Sequence, residues 1–223
     1  MQKILCSALL TLCCVVVPAS AAAAANKIGI LVFDGFLTSD VTAPIEVFGA
    51  ATKKASFSSY EVVVVSATRN REVRSEEGLR ILADKTIYDD LGLDVLIVPS
   101  SYSMKGLLKS EDLVRFIAKQ NQSASWMASN CSGAFLLAAA GVLDGRNATT
   151  WAGGEEGLAK AYPKVKVQFD RNVVVDGRVI TSNGGPVSYQ AAFALLEKLS
   201  SEAFSREIAD AIQFSRLKNA FGP

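Results

Sequence analysis

Four short apolar runs constrain the fold of this chain more than any other feature. They are KIGILVF at Lys27–Phe33, YEVVVVSAT at Tyr60–Thr68, LDVLIVPS at Leu93–Ser100 and SASWMASN, which ends at Asn130. Each reads as a buried strand, and amphipathic stretches separate them. Continuous apolar strands that alternate with helices imply a mostly parallel sheet covered on both faces, an α/β fold. VTAPIEVFGAATKK is predicted to be helical, with Thr42 as its cap and Pro44 in its first turn. SEDLVRFIAKQNQ is a second helix, capped by Ser110 and with acids in its first turn. SGAFLLAAAG is a third, stopping at Gly141, and EEGLAKAYP a fourth, ended by Pro163. VSYQAAFALLEKLS and SEAFSREIADAIQF read as the last two helices. EVRSEEGLRILAD looks like a hairpin excursion, and VVVDGRVIT like two strands about an Asp-Gly turn.

The first 25 residues have a different character. Lys3 is followed by the uncharged run ILCSALLTLCCVVV and then by PASAAAAA. That is the layout of a cleavable secretory signal, with cleavage expected between about Ala21 and Ala25. The apolar run is short for a bilayer span. The reading is therefore an exported protein, periplasmic or secreted, with no stable membrane anchor after cleavage. Residues 26–223 then form a single domain. Cleavage removes Cys6, Cys13 and Cys14 and leaves Cys131 alone. It also removes Lys3 from 23 basic and 22 acidic residues, so the remainder is formally neutral. No basic patch stands out, which gives no electrostatic case for nucleic acid as a partner.

The chain contains no histidine. That excludes Cys-His and Ser-His-Asp arrangements and His-ligated metals. A single remaining thiol excludes a Cys-rich zinc site as well. No metal and no cofactor is expected. The available chemistry is that of Cys, carboxylates, hydroxyls, Lys, Tyr and backbone amides.

Cys131 lies in SNCSGAF, at the carboxyl end of the fourth strand and just before a helix. Ligands of open α/β sheets sit at that end. A helix N-terminus is expected to lower the thiol pKa. Gly133 would let the helix pack close after a tight turn, as in the G-x-S-x-G elbow. A buried structural cysteine is the plain alternative. Asp40, in TSDVTAP after the first strand, is the best partner for the thiol. Like-charge repulsion from a thiolate would keep it protonated. Asp34 and Glu46 compete with it, but Asp34 can simply start a turn with Gly35 and Glu46 can simply support a helix face. Locally, Asp40 also reads as a solvated helix-start residue. N-x-S/T sequons occur at Asn121, Asn130 and Asn147. The one at Asn130 is read as chance, because sugar there would block the elbow.

KIGILVFDGFLTSDVTAPIEVF, VLIVPSS, SNCSGAFLLAAAGVLDGRNATTWA and DGRVITSNGG together resemble the ThiJ/PfpI superfamily, within the class I glutamine-amidotransferase-like fold. The likeness covers the chain past the signal and is greatest to isocyanide (isonitrile) hydratases and the sensor domain of AraC-type regulators. It implies a flavodoxin-like three-layer α/β/α sandwich, a homodimer and a small-molecule substrate. It also implies Cys131 as nucleophile, Asp40 as the acid beside it and Ser132 as the hydroxyl residue that follows. Trp151 stands where relatives often have histidine, and Ser100-Ser101 where they have Gly-Gly. These three, with Gly185 of the NGG segment, are the candidate substrate-binding residues. The first functional expectation is a hydratase-like lyase acting on a small electrophile such as an isocyanide. The alternative is a small-molecule or redox-sensing module that uses the same elbow without turnover. A scaffold with an idle cysteine is the third.

Overall fold

The computed structural model describes residues 25–219. The signal expectation, with Cys6, Cys13 and Cys14, lies outside the described residues. The strands are β1 (Asn26–Val32), β2 (Tyr60–Ser66), β3 (Glu72–Arg74), β4 (Arg80–Leu82), β5 (Lys85–Thr86), β6 (Val95–Val98), β7 (Trp126–Asn130), β8 (Asn147–Ala148), β9 (Lys166–Val167), β10 (Val173–Asp176) and β11 (Val179–Ser182). The helices are α1 (Thr38–Ala51), α2 (Met104–Leu108), α3 (Glu111–Ser123), α4 (Gly133–Ala139), α5 (Glu155–Ala161), α6 (Ser188–Leu199) and α7 (Glu202–Ala211).

Seven strands form one sheet in the order β10-β11-β7-β6-β1-β2-β5. Its pairs are parallel apart from the β10–β11 hairpin. The apolar runs fill the centre: Ile28, Ile30, Leu31, Leu96 and Met127 are fully buried. β6 is buried at every position, as a strand covered on both faces must be. Helices α1, α6 and α7 pack together as one layer, and α2, α3 and α4 as the other. β7 touches both α4 and α6, so the strand that leads into Cys131 lies under both layers.

The expected hairpin is β3–β4, antiparallel and outside the main sheet. It explains why α1 begins earlier than the sequence reading placed it. Glu77, in the hairpin turn, accepts from the Thr38 N–H at 3.0 Å and from Thr38 Oγ1 at 2.5 Å. The first turn of α1 is thus held by an acid 39 residues away. Leu37 occupies the cap position and makes no side-chain cap bond. Thr42 is therefore not a cap. It lies inside the helix, where its hydroxyl donates to the Thr38 carbonyl at 3.0 Å. Pro44 falls in the helix interior, beyond the first turn. Ser110 does cap α3, accepting from the Leu113 N–H at 3.4 Å.

Gly133 is the tightest point between α4 and the sheet. A Cβ there would lie 2.4 Å from the Val98 carbonyl oxygen and 2.8 Å from that of Pro99. Both are backbone atoms and cannot step aside. Gly49, in α1, has open space around its missing Cβ. Gly133→Ala should lower stability by about 1–3 kcal/mol through overpacking. Gly49→Ala should raise it by about 0.5–1 kcal/mol through helix propensity. Urea denaturation of the two variants, side by side, checks both signs.

Candidate active site

Strand β7 ends at Asn130 and α4 begins at Gly133. Cys131 makes the turn between them with φ +49°. A non-glycine residue in this left-handed region costs about 1–3 kcal/mol and persists only where its surroundings hold it. Here the Cys131 N–H donates to the Ser182 carbonyl at 2.9 Å. The Cys131 carbonyl accepts from Thr150 Oγ1 at 2.8 Å. Ser132 Oγ donates to the Ser101 carbonyl at 3.0 Å and accepts from the Ser101 N–H at 3.3 Å. The elbow is thus pinned to β11, to the segment after β8 and to the loop after β6. The thiol is partly exposed.

Asp40 is fully buried. Its Oδ1 accepts from the Gly185 N–H at 2.8 Å and from Ser188 Oγ at 2.9 Å. Its Oδ2 accepts from the Ser100 N–H at 3.1 Å and from the Ser100 hydroxyl. Asp40 and the thiol share one small volume. A Cβ on Gly184 would lie 2.3 Å from the Cys131 Cβ and 2.9 Å from Asp40 Oδ1. Gly184 also has φ +79°, so the wedge between the two groups must be glycine.

Burial pushes the Asp40 carboxyl above its ordinary range, and the Ser100, Gly185 and Ser188 hydrogen bonds pull it part of the way back. The shift is toward the protonated form, and its leading cause is desolvation rather than repulsion from the thiol. Cys131 departs from the sequence expectation. Its thiol is pushed up, first by burial and then by the Asp40 charge. The Ser100 hydroxyl and the Ser132 backbone N–H oppose this without reversing it. Helix α4 has only seven residues.

The expected residues converge in part. Cys131, Asp40, Ser132, Ser100, Ser101 and Gly185 all meet at the carboxyl end of the sheet. The N–H groups of Ser100 and Gly185 are engaged with Asp40, and that of Ser101 with Ser132. Trp151 is about one-third exposed and stacks on Phe135 with ring centroids 5.4 Å apart. Its ring also covers Gly154, whose Cβ would sit 2.3 Å from it. Asp34 takes the plain role, accepting from the Arg74 N–H at 3.0 Å. Glu46 accepts from the Tyr189 hydroxyl on a helix face.

Residues that local reading missed are Ser188, Gly184, Thr150, Ser182 and Asn130. Their contributions are a hydroxyl, a missing side chain or an amide, and none forms a pattern along the chain. Asn130 was visible inside SNCSGAF but stood out only as a sequon. It is 3% exposed, and both ends of its amide are bonded, which leaves sugar no place.

A parallel sheet with a strained cysteine at the end of a central strand, beside a buried acid, defines a nucleophile-elbow α/β protein. The DJ-1/PfpI family model matches residues 26–198, and the chain belongs to the DJ-1/PfpI family. It is 32% identical over 176 residues to isonitrile hydratase of Pseudomonas putida, covering 78% of this chain and 72% of that one. It is 23% identical over 194 residues to the HTH-type transcriptional regulator GbdR of Pseudomonas aeruginosa, covering 87% of this chain and 52% of the regulator. A ThiJ/PfpI family protein from Pseudomonas syringae superposes with a TM-score of 0.74 at 22% identity, over 89% of this chain and 76% of that one.

Asp40→Asn removes the charge that opposes the thiolate. The midpoint of Cys131 alkylation against pH should fall, yet stay above that of an open thiol because burial remains. Gly184→Ala should abolish rapid alkylation outright, since its Cβ would occupy the space beside the Cys131 Cβ. Stopped-flow labelling of the native proteins reads both.

Proposed function

We propose that the protein is a cysteine-dependent hydratase that adds water to a small electrophile, with the conversion of an isocyanide to an N-substituted formamide as the model reaction. One observation carries this reading: a buried acid, its carboxyl shifted toward holding a proton, shares a glycine-lined volume with the only thiol among the described residues. A chain without histidine has no competing base of that kind. The relative named isonitrile hydratase supports the choice of substrate class.

The steps balance without a cofactor. Sulfur bonds to the terminal isocyanide carbon as Asp40 delivers its proton to that carbon, and the proton that Cys131 gives up passes to the Asp40 carboxylate. The product is a thioimidate with a C–H bond and a C=N bond. Water then adds to the same carbon, giving one proton to nitrogen through Asp40. The C–S bond breaks, its electron pair returns to sulfur, and the remaining water proton restores the thiol. The net change is isocyanide plus water to formamide. Ser100, Gly185 and Ser188 hold the acid, and Ser132 keeps the elbow closed against the loop after β6. We place the reaction outside the cytosol, on the strength of the first 25 residues.

A second reading has its own support. The thiol is pushed up rather than down, which weakens it as a nucleophile and leaves room for a role in binding without turnover. A relative in which this domain forms about half the chain is a regulator by name.

The test is direct. Purified protein is given an alkyl isocyanide, and formamide is followed by mass spectrometry. The hydratase reading expects catalytic turnover, lost in Cys131→Ala and reduced about 10²–10⁴-fold in Asp40→Ala, the usual worth of acid–base catalysis. A stable adduct at Cys131, or saturable binding without turnover, would replace it with the second reading. Neither adduct, binding nor turnover would sink both.

A further inference from the structure

Pro44 interrupts α1 at a chosen place. In an α-helix the N–H of residue 44 would donate to the carbonyl of residue 40. Proline has no N–H, and its ring crowds that same carbonyl. The carbonyl left without its helical donor is that of Asp40. A buried backbone carbonyl needs a partner, and the Asn130 side chain provides one, donating from Nδ2 at 3.0 Å. The other end of the amide is also fixed, since Asn130 Oδ1 accepts from Ser182 Oγ at 2.7 Å. Ser182 in turn accepts the Gly184 N–H on its hydroxyl at 3.2 Å and the Cys131 N–H on its carbonyl at 2.9 Å. Gly185, next to Gly184, returns to Asp40 Oδ1. The bonds close into a ring with the acid on one side and the thiol on the other.

We propose that Asn130 is a positioning residue for the Cys131–Asp40 pair and that Pro44 makes the role possible: the proline frees the Asp40 carbonyl from its helix, and the Asn130 amide ties that carbonyl to the strand carrying the thiol. The tie joins residues 90 positions apart. It acts on the backbone of Asp40, whereas Ser100, Gly185 and Ser188 act on its carboxylate. Both ends of the acid are therefore fixed relative to the elbow. The proposal rests on the reading that thiol and acid act together, and not on the identity of the substrate.

The two residues make opposite predictions for stability and the same prediction for the thiol, which separates positioning from plain packing. Pro44→Ala restores an N–H that competes for the Asp40 carbonyl. The helix should gain, so the urea midpoint should hold or rise. The Asn130 tie should loosen, so the pH profile of Cys131 alkylation should move. Asn130→Ala should lower the urea midpoint and move the same profile. It should also cut isocyanide turnover about tenfold to a hundredfold, the cost of a small misplacement of reacting groups. In the double variant, the N–H restored by Pro44→Ala supplies the Asp40 carbonyl with a donor inside the helix. The urea midpoint should recover by more than Pro44→Ala raises it in the wild-type background, while the alkylation profile stays displaced.

These outcomes are measured beside Asp40→Asn. If Asp40→Asn leaves the alkylation profile unchanged, thiol and acid are not a pair, and the functional reading fails first. If Asp40→Asn moves the profile but folded Asn130→Ala and Pro44→Ala both keep it, the positioning role is overturned and the pair stands. Equal effects of Pro44→Ala with and without Asn130 would show that the proline does not act through the amide. Should Asn130→Ala fail to fold, Pro44→Ala alone decides: a stable helix with an unmoved thiol profile rejects the proposal.

Discussion

A carboxylate with no access to water must be surrounded by donors or kept neutral. Asp40 is surrounded by donors, and burial shifts it toward the neutral form; the rest of the site follows from how. Its partners come from the loop after β6 and from the start of α6, while the acid itself rides on the helix after β1. In the sheet, β7 lies between β6 and β11. Gathering the donors around Asp40 therefore draws together the carboxyl ends of every strand that flanks the cysteine. The thiol sits where it does because the acid beside it has to be satisfied.

The same arrangement decides what kind of chemistry the elbow supports. In a site built for acyl transfer, backbone N–H groups beside the nucleophile stay free to meet a developing oxyanion. Here the N–H groups of Ser100, Ser101 and Gly185 are already committed, two of them to the acid. What remains next to sulfur is the Ser132 N–H and the carboxyl itself, with the Ser100 hydroxyl shared between sulfur and the carboxyl. Such a set moves protons better than it stabilises new negative charge. That favours a substrate whose reacting carbon gains a proton as it gains a sulfur.

The sheet and most helices were legible because their signal is local. β-branched apolar runs, Ser110 with its acids and the Asp-Gly turn each specify structure over a few residues. Thr42 and Pro44 were misplaced because Glu77, far along the chain, starts α1 early. β5, α2 and the β8–β9 pair are too short for any periodicity to mark them. In the site, Cys131 and Asp40 were legible from their places at strand ends and from the family likeness. The direction of the thiol shift was not, because desolvation depends on what covers a group. Ser188, Ser182 and Asn130 contribute single hydrogen bonds, visible only once three dimensions bring them to Asp40.

The partners of Asp40 stand 60, 145 and 148 residues from it along the chain. No segment shorter than residues 40–188 contains the acid together with its donors. Contacts at that separation carry more loop-closure entropy than local ones. With β11 and α6 undocked, Cys131 lacks the Ser182 carbonyl and Asp40 lacks its Gly185 and Ser188 donors. A chain in which those elements have not docked thus differs from a finished one in how Cys131 behaves. The feature that builds the site also makes the site a marker of its own completion.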